Sequence, residues 1–333
     1  MDSAPFPRQS ARLRGVADVV DHVASHCFRV GVPGTVGVET EWLTVDRREP
    51  RRRVHPQRCR GALADLLELP GGSRLSYEPG GQIELSSLPW PDLDSCVRAV
   101  DSDIAAVVGI LGAEGIGLVG LGADPIRSAA RVVEDSRYTS MEAYFDLTGA
   151  AGRAMMCSTA STQVNVEAGP ESQWSRRWER AHVLGPMLVA EFANSPMLGD
   201  HITGWRSTRQ AIWSVIDPSR AQPARRIGHR DPVDAWSSYA LSARTMLRRG
   251  RNGDCRPVLD GSTFADWVAG SSPAEDRRPG PAPDHPVPAD PGPRLARVPD
   301  DRRAAGRVLV GSGRGGDHAA GRSAGGGAGP RRV

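Results

Sequence analysis

Three short stretches concentrate residues able to hold a metal ion or a charged substrate: TVGVETEWLTVD (35–46), LSYEPGGQIELSS (75–87) and STQVNVE (161–167). Strand side chains repeat every two residues, so Glu39 and Glu41 share one face, about 7 Å apart, while Val36, Val38 and Trp42 share the other. In the second stretch Pro79, Gly80 and Gly81 predict a turn or bulge after Glu78. The strand that follows sets Gln82, Glu84 and Ser86 against Ile83 and Leu85. The third sets Gln163, Asn165 and Glu167 against Val164 and Val166. Each strand alone reads as half-exposed, with its polar side toward water. Together they carry acids and amides with no cation among the named positions, unlike an ordinary solvent face. Converging carboxylates repel unless cations intervene, and hard oxygen donors in that number suit Mg²⁺ carrying nucleotide phosphates.

The composition removes other chemistries. All 42 basic residues are arginine, so a phosphate-loop lysine, a kinase strand lysine and a Schiff-base amine are excluded. Cys27, Cys59, Cys96, Cys157 and Cys255 are odd in number and form no C-x-x-C pair, against a disulfide framework or a zinc site. The opening MDSAPFPRQSARLRG has no apolar stretch, and the run from Ile104 to Ala113 falls far short of the roughly 20 residues of a membrane span. A soluble protein of the reducing cytoplasm, without a membrane partner, is expected. Residues 276–333 hold 11 Arg against 6 Asp, whereas residues 1–275 hold 31 Arg against 33 acids. The body is therefore slightly acidic, which argues against nucleic acid as a partner.

These faces must be carried by elements in no βαβ rhythm, and the expected class is α+β with an antiparallel sheet. The spacing predicts a helix over 10–26, then a break at Gly34 and a strand that follows it through Val45. A further helix capped by Asp94 or Ser95 should reach Glu114 and end at Gly115. Strands are expected over Ile116–Leu121 and Met155–Val166. Helices are expected over Ser140–Leu147, Glu171–Asn194, 208–216 and 232–242. GIGLVG (115–120) lies within a strand instead of joining strand to helix, so it is no dinucleotide fingerprint; GSGRGG (311–316) falls in a glycine-rich tail. The histidines show no metal spacing. Cys157 is expected as a buried inert thiol, and the tryptophans with Met155, Met156, Met187 and Met197 as core.

GVETEW, EPGGQIELSS, RYTSMEAYFD, AMMCSTASTQVNVE, EFANSPMLG, STRQAIWSVID and TFADWVAG occur in that order. Over about residues 34 to 270 the chain resembles the plant-type glutamate–cysteine ligases, in particular the actinobacterial branch serving ergothioneine biosynthesis. The resemblance implies a glutamine-synthetase-like carboxylate–amine ligase core whose sheet forms a trough for ATP, two or three Mg²⁺ ions, glutamate and cysteine. It implies that Glu39, Glu41, Glu78 and Glu84 are metal and ATP ligands, with Glu39, Glu41 and Glu84 catalytic. Gln163 and Asn165 would contact metal or nucleotide, and Arg209, then Arg206, would grip substrate or phosphate. A ligase joining glutamate to another amine stays open, and oligomeric state has no signature.

The expected division is a catalytic domain over 1–275 and a low-complexity Arg/Pro/Gly/Ala tail over 276–333, disordered or out of frame. The resembled family continues into a strand R-G-Y-L-E-x-R, for which the tail has no counterpart. A shifted reading frame from about codon 275 is expected to restore it; otherwise a weakly active or inactive scaffold is expected.

Overall fold

The structure, a computed structural model, describes residues 13–31, 34–224, 231–250 and 252–270. Helix α1 (Val16–His22) runs on through a π-turn, Val23–Cys27, burying Val19 and Val23. The long strand β1 (Val36–Asp46) follows, then the short helix α2 (Pro56–Ala62) and a hairpin of β2 (Arg74–Tyr77) and β3 (Ile83–Ser86). Helix α3 (Leu93–Ala113) leads into β4 (Ile116–Val119). Helices α4 (Ser136–Asp146) and α5 (Ala151–Ser158) precede β5 (Thr162–Val166), and a 3₁₀ turn opens α6 (Trp174–Phe192). The small hairpin β6 (Met197–Leu198) and β7 (His201–Ile202) precedes α7 (Thr208–Ile216), α8 (Pro218–Ala221) and α9 (Pro232–Ser242). A second hairpin, β8 (Leu247–Arg249) and β9 (Cys255–Pro257), and α10 (Phe264–Val268) complete the described chain.

Helices combined with antiparallel sheets make the fold α+β. The main sheet runs β2-β3-β1-β4, with β5 also on β1. Strand β1 is its organising element: β3 pairs with residues 39–42, β5 with 36–40 and β4 with 43–46, all antiparallel. Val38, Ile83 and Leu85 point into the core, where Val100, Ile104, Val107 and Leu111 of α3 cover them. The opposite side chains of the same strands are thereby left for chemistry.

Several elements differ from expectation, each for a local reason. Helix α3 starts earlier because Asp92 Oδ1 accepts the Ser95 N–H at 2.7 Å, making Asp92 the cap instead of Asp94 or Ser95. Asp135 likewise starts α4 at Ser136, ahead of the expected Ser140, by accepting the Arg137 N–H at 2.7 Å. The strand expected over Met155–Val166 divides into the end of α5 and β5, with Met155 and Met156 packing beside Tyr144 and Phe145; a short apolar run cannot tell strand from helix. Cys157 is buried as expected, its thiol pushed up to about 11 by burial. Two residues expected in the core are not there: Met187 is 63% exposed and Trp205 62%. Among the described residues no helix is long and apolar enough to cross a membrane. The tail expectation lies outside the described residues.

Candidate active site

Backbone pairing brings the three polar stretches together. Glu41 stands opposite Glu84, Glu39 opposite Ser86 on one side and Gln163 on the other, and Ser76 opposite Glu84. Opposed residues on an antiparallel pair project to the same face with Cβ atoms about 5 Å apart, so Glu39, Glu41, Glu84 and Gln163 form one patch. Each acid is oriented. Gln163 Nε2 donates to Glu39 Oε2 at 3.1 Å, and Asn165 Nδ2 to Glu39 Oε1 at 3.4 Å. The Ser161 backbone N–H donates to Glu41 Oε2 at 2.8 Å. The Ser76 and Ser86 hydroxyls donate to Glu84 Oε1 at 3.2 and 3.0 Å.

Glu78 enters from the end of β2 through the Pro-Gly-Gly turn, which its carbonyl closes by accepting the Gly81 N–H at 2.8 Å. Gly81 has φ 87°, in the left-handed region that favours glycine. A Cβ at Gly80 would lie 2.0 Å from the Cys157 carbonyl oxygen, so only glycine lets the turn press against the end of α5. Gln82 is buried instead of open beside the acids: its Nε2 donates to the Met156 and Thr159 carbonyls at 3.3 and 2.7 Å, fastening the turn to the segment before β5.

The electrostatics follow from this crowding. Burial, then the charges of Glu41, Glu84 and Glu39, push the Glu78 carboxyl up to about 8, opposed by the Arg137 cation. Glu84 is raised as well, first by burial and then by Glu41 and Glu39. Such a site favours protons or added cations. The donor set of carboxylates and amides fits a hard divalent ion. Among the described residues, no three His, Cys, Asp or Glu side chains converge closely enough to enclose an ion on their own; the acids form a row held by separate partners.

The two arginines singled out from sequence part company. Arg209, in the first turn of α7, is only 6% exposed, and its Nε and Nη1 are buried without a hydrogen-bond partner. Its guanidinium lies 5.8 Å from the Trp213 ring centroid. A buried guanidinium with idle donors fits a carboxylate or phosphate. Arg206 is exposed, its backbone carbonyl accepting the Ser195 N–H at 3.0 Å. The residues of RYTSM have no role legible in the sequence. The structure sets Tyr138 against the site, its hydroxyl 3.5 Å from the Tyr77 carbonyl, with the Arg137 guanidinium 5.8 Å from its ring centroid.

Comparison with known proteins places the sequence in a family. The family model described as Glutamate-cysteine ligase family 2 (GCS2) matches residues 35–277. The chain is 41% identical over 260 residues to the glutamate–cysteine ligase EgtA of Mycolicibacterium smegmatis, covering 78% of this chain and 61% of the relative. To EgtA of Mycobacterium tuberculosis it is 41% identical over 261 residues, 78% of this chain and 60% of the relative. A chloroplastic glutamate–cysteine ligase of Brassica juncea is 32% identical over 212 residues, 61% of this chain and 40% of that protein. The chain thus spans about three fifths of the length of the mycobacterial relatives it matches. With the matched segment containing β1, β3, β5 and α7 and every acid of the row, this chain belongs to glutamate–cysteine ligase family 2.

Proposed function

We propose that the chain joins the γ-carboxylate of L-glutamate to the amine of L-cysteine at the expense of ATP, giving γ-glutamylcysteine that feeds ergothioneine biosynthesis. The single observation that carries this reading is the cluster of Glu39, Glu41 and Glu84 on one face of the sheet, crowded by Glu78 from the adjoining turn, in a chain of this family. The glutamate γ-carboxylate attacks the γ-phosphorus of ATP, releasing ADP and forming γ-glutamyl phosphate. The cysteine amine then attacks the acyl carbon, and phosphate leaves. Neither step needs a protein nucleophile, in keeping with the absence of lysine and the raised, inert Cys157. Glu39, Glu41, Glu78 and Glu84, completed by substrate phosphate oxygens, would hold two or three Mg²⁺ ions, which would supply charge neutralisation for those oxygens. Gln163 and Asn165 fix the Glu39 carboxylate. Arg209 binds a substrate carboxylate or phosphate through its idle donors, with exposed Arg206 as a second cation at the same helix start. The glutamine-synthetase-like trough and a catalytic domain over 1–275 belong to the same reading.

The test is product analysis with glutamate, cysteine and ATP. Release of ADP and phosphate, lost in both Glu39→Gln and Glu84→Gln, supports it. AMP and pyrophosphate would indicate adenylation instead, and retained turnover in both variants would remove the carboxylate row from the mechanism. Glutamate binding without turnover in the unmodified chain would favour the scaffold reading.

A further inference from the structure

Helix α6 is 19 residues long, yet among its buried residues is only Trp178. Its outward side carries Arg176, Arg180, Val183, Leu184, Met187 and Glu191, spaced three and four apart and therefore along one stripe. The centre of that stripe is apolar and open: Val183 is 55% exposed, Leu184 48% and Met187 63%. Pro186 is exposed beside them. The ends are oppositely charged, with Arg176 and Arg180 toward the N-terminus and Glu191 at the C-terminal end. Neither Arg176 nor Glu191 has an ion-pair partner among the described residues.

We propose that this stripe is a self-complementary interface through which two copies of the chain associate, α6 against α6, antiparallel about a twofold axis. The spacing itself fixes the register. An axis between residues 183 and 184 sets Val183 against Leu184 of the partner subunit and Arg176 against Glu191 of the partner subunit. The same axis lays the alkyl stem of Arg180 along Met187 of the partner subunit. A twofold contact needs one patch that complements itself, and a cation–apolar–anion stripe on a single helix does so only when antiparallel. The opposed helix dipoles favour the same orientation. A stripe meant for an anionic membrane would carry cations along both flanks, whereas Glu179 and Glu191 interrupt this one. A helix of this length spans about 28 Å, which buries less than the roughly 1,200 Å² of a stable interface, so the dimer should exchange with monomer.

Sedimentation velocity of the full chain across a wide concentration series tests this. A reversible monomer–dimer equilibrium is expected, weakened at least tenfold by Arg176→Glu or by Glu191→Arg. It is restored when both reversals are combined, because the same pair re-forms with its signs exchanged. Leu184→Cys, close to the axis, should give disulfide-linked dimers under mild oxidation. Three outcomes overturn the proposal: a monomer at every concentration, a dimer indifferent to the single reversals, or a double reversal that fails to rescue. If the thiol that Leu184→Cys introduces is unreactive in the monomer, the chain's own residues 271–333 cover the stripe, and that result would overturn it too.

Discussion

The two halves of β1 treat charge in opposite ways. Toward its C-terminal end, every buried charge has a fixed partner. Asp46 holds Arg58 at 2.7 Å, and the nearby Arg127, 8% exposed, donates to Asp124 Oδ2 at 2.6 Å and to the Thr44 carbonyl at 2.8 Å. Toward the N-terminal end, Glu39, Glu41 and the facing Glu84 are held by amides and hydroxyls, Glu78 is forced toward its neutral form, and elsewhere Arg209 keeps idle donors in a buried position. A charge satisfied within the fold stabilises it; one left wanting costs stability until a ligand arrives. The contrast separates a structural corner from a candidate site.

The largest expected effect tests that contrast directly. Arg127→Leu leaves the Asp124 carboxylate buried without its partner and should lower unfolding free energy by about 3–5 kcal/mol, read from urea denaturation. Arg209→Leu, at nearly the same burial, removes a guanidinium the fold does not satisfy. It should leave the urea midpoint almost unchanged while lowering the proposed ligation by about 10²–10³-fold, the scale for losing one charge-stabilising donor. Equal destabilisation by both substitutions would erase the distinction between the regions.

A smaller effect, of unusual sign, is expected at Glu78. Its folded carboxyl titrates at about 8, above its value in the unfolded chain. Between those two pKa values the folded state retains a proton that the unfolded state has released, so stability falls as pH rises, and the full loss is in place above about pH 8. Glu78→Gln removes the loss. In the presence of a chelator the variant should be more resistant to urea than the parent at pH 8.5, with the gap shrinking toward pH 4, while the proposed Mg²⁺-dependent ligation is abolished. A variant weaker than the parent at pH 8.5 would mean that Glu78 is a structural acid after all.

The same contrast explains what was legible in the sequence. Alternation along 36–42 and 83–86 gave the core and acid faces correctly, because Val38, Ile83 and Leu85 must share a side with α3; beyond Trp42 the alternation fails, with Leu43 and Thr44 both buried. Two-residue periodicity could not foresee that the Gln82 amide is taken up by the Met156 and Thr159 carbonyls, which depends on Gly80 bringing the turn against the end of α5. Nor could it separate α5 from β5 within one apolar run. Arg209 and Arg206 stand three positions apart in an arginine-rich chain, and only tertiary burial distinguishes them. Arg137 and Tyr138 were visible as a motif, yet their relation to Glu78 depends on how α4 packs against α5 and the β8–β9 hairpin, a packing that lets Tyr138 reach the Tyr77 carbonyl.

The smallest effect sharpens the other side of the comparison. The Arg58 guanidinium, then the backbone N–H groups of Arg48 and Glu49, hold the Asp46 carboxyl down at about 2. Because the folded value lies below the unfolded one, the stabilisation is fully present above about pH 4, where the unfolded carboxyl is ionised, and is lost as pH falls toward 2. Arg58→Ala removes the leading cause and leaves the two backbone donors at 3.0 and 3.2 Å. The parent should therefore be modestly more stable than Arg58→Ala at pH 7, by the same margin at pH 5, and by a shrinking margin below pH 4, measured as urea midpoints across that series. A margin that stays constant down to pH 2 would mean that Arg58 contributes through its packing against the Glu114 turn, and that the satisfied charge at this end of β1 is not what stabilises it.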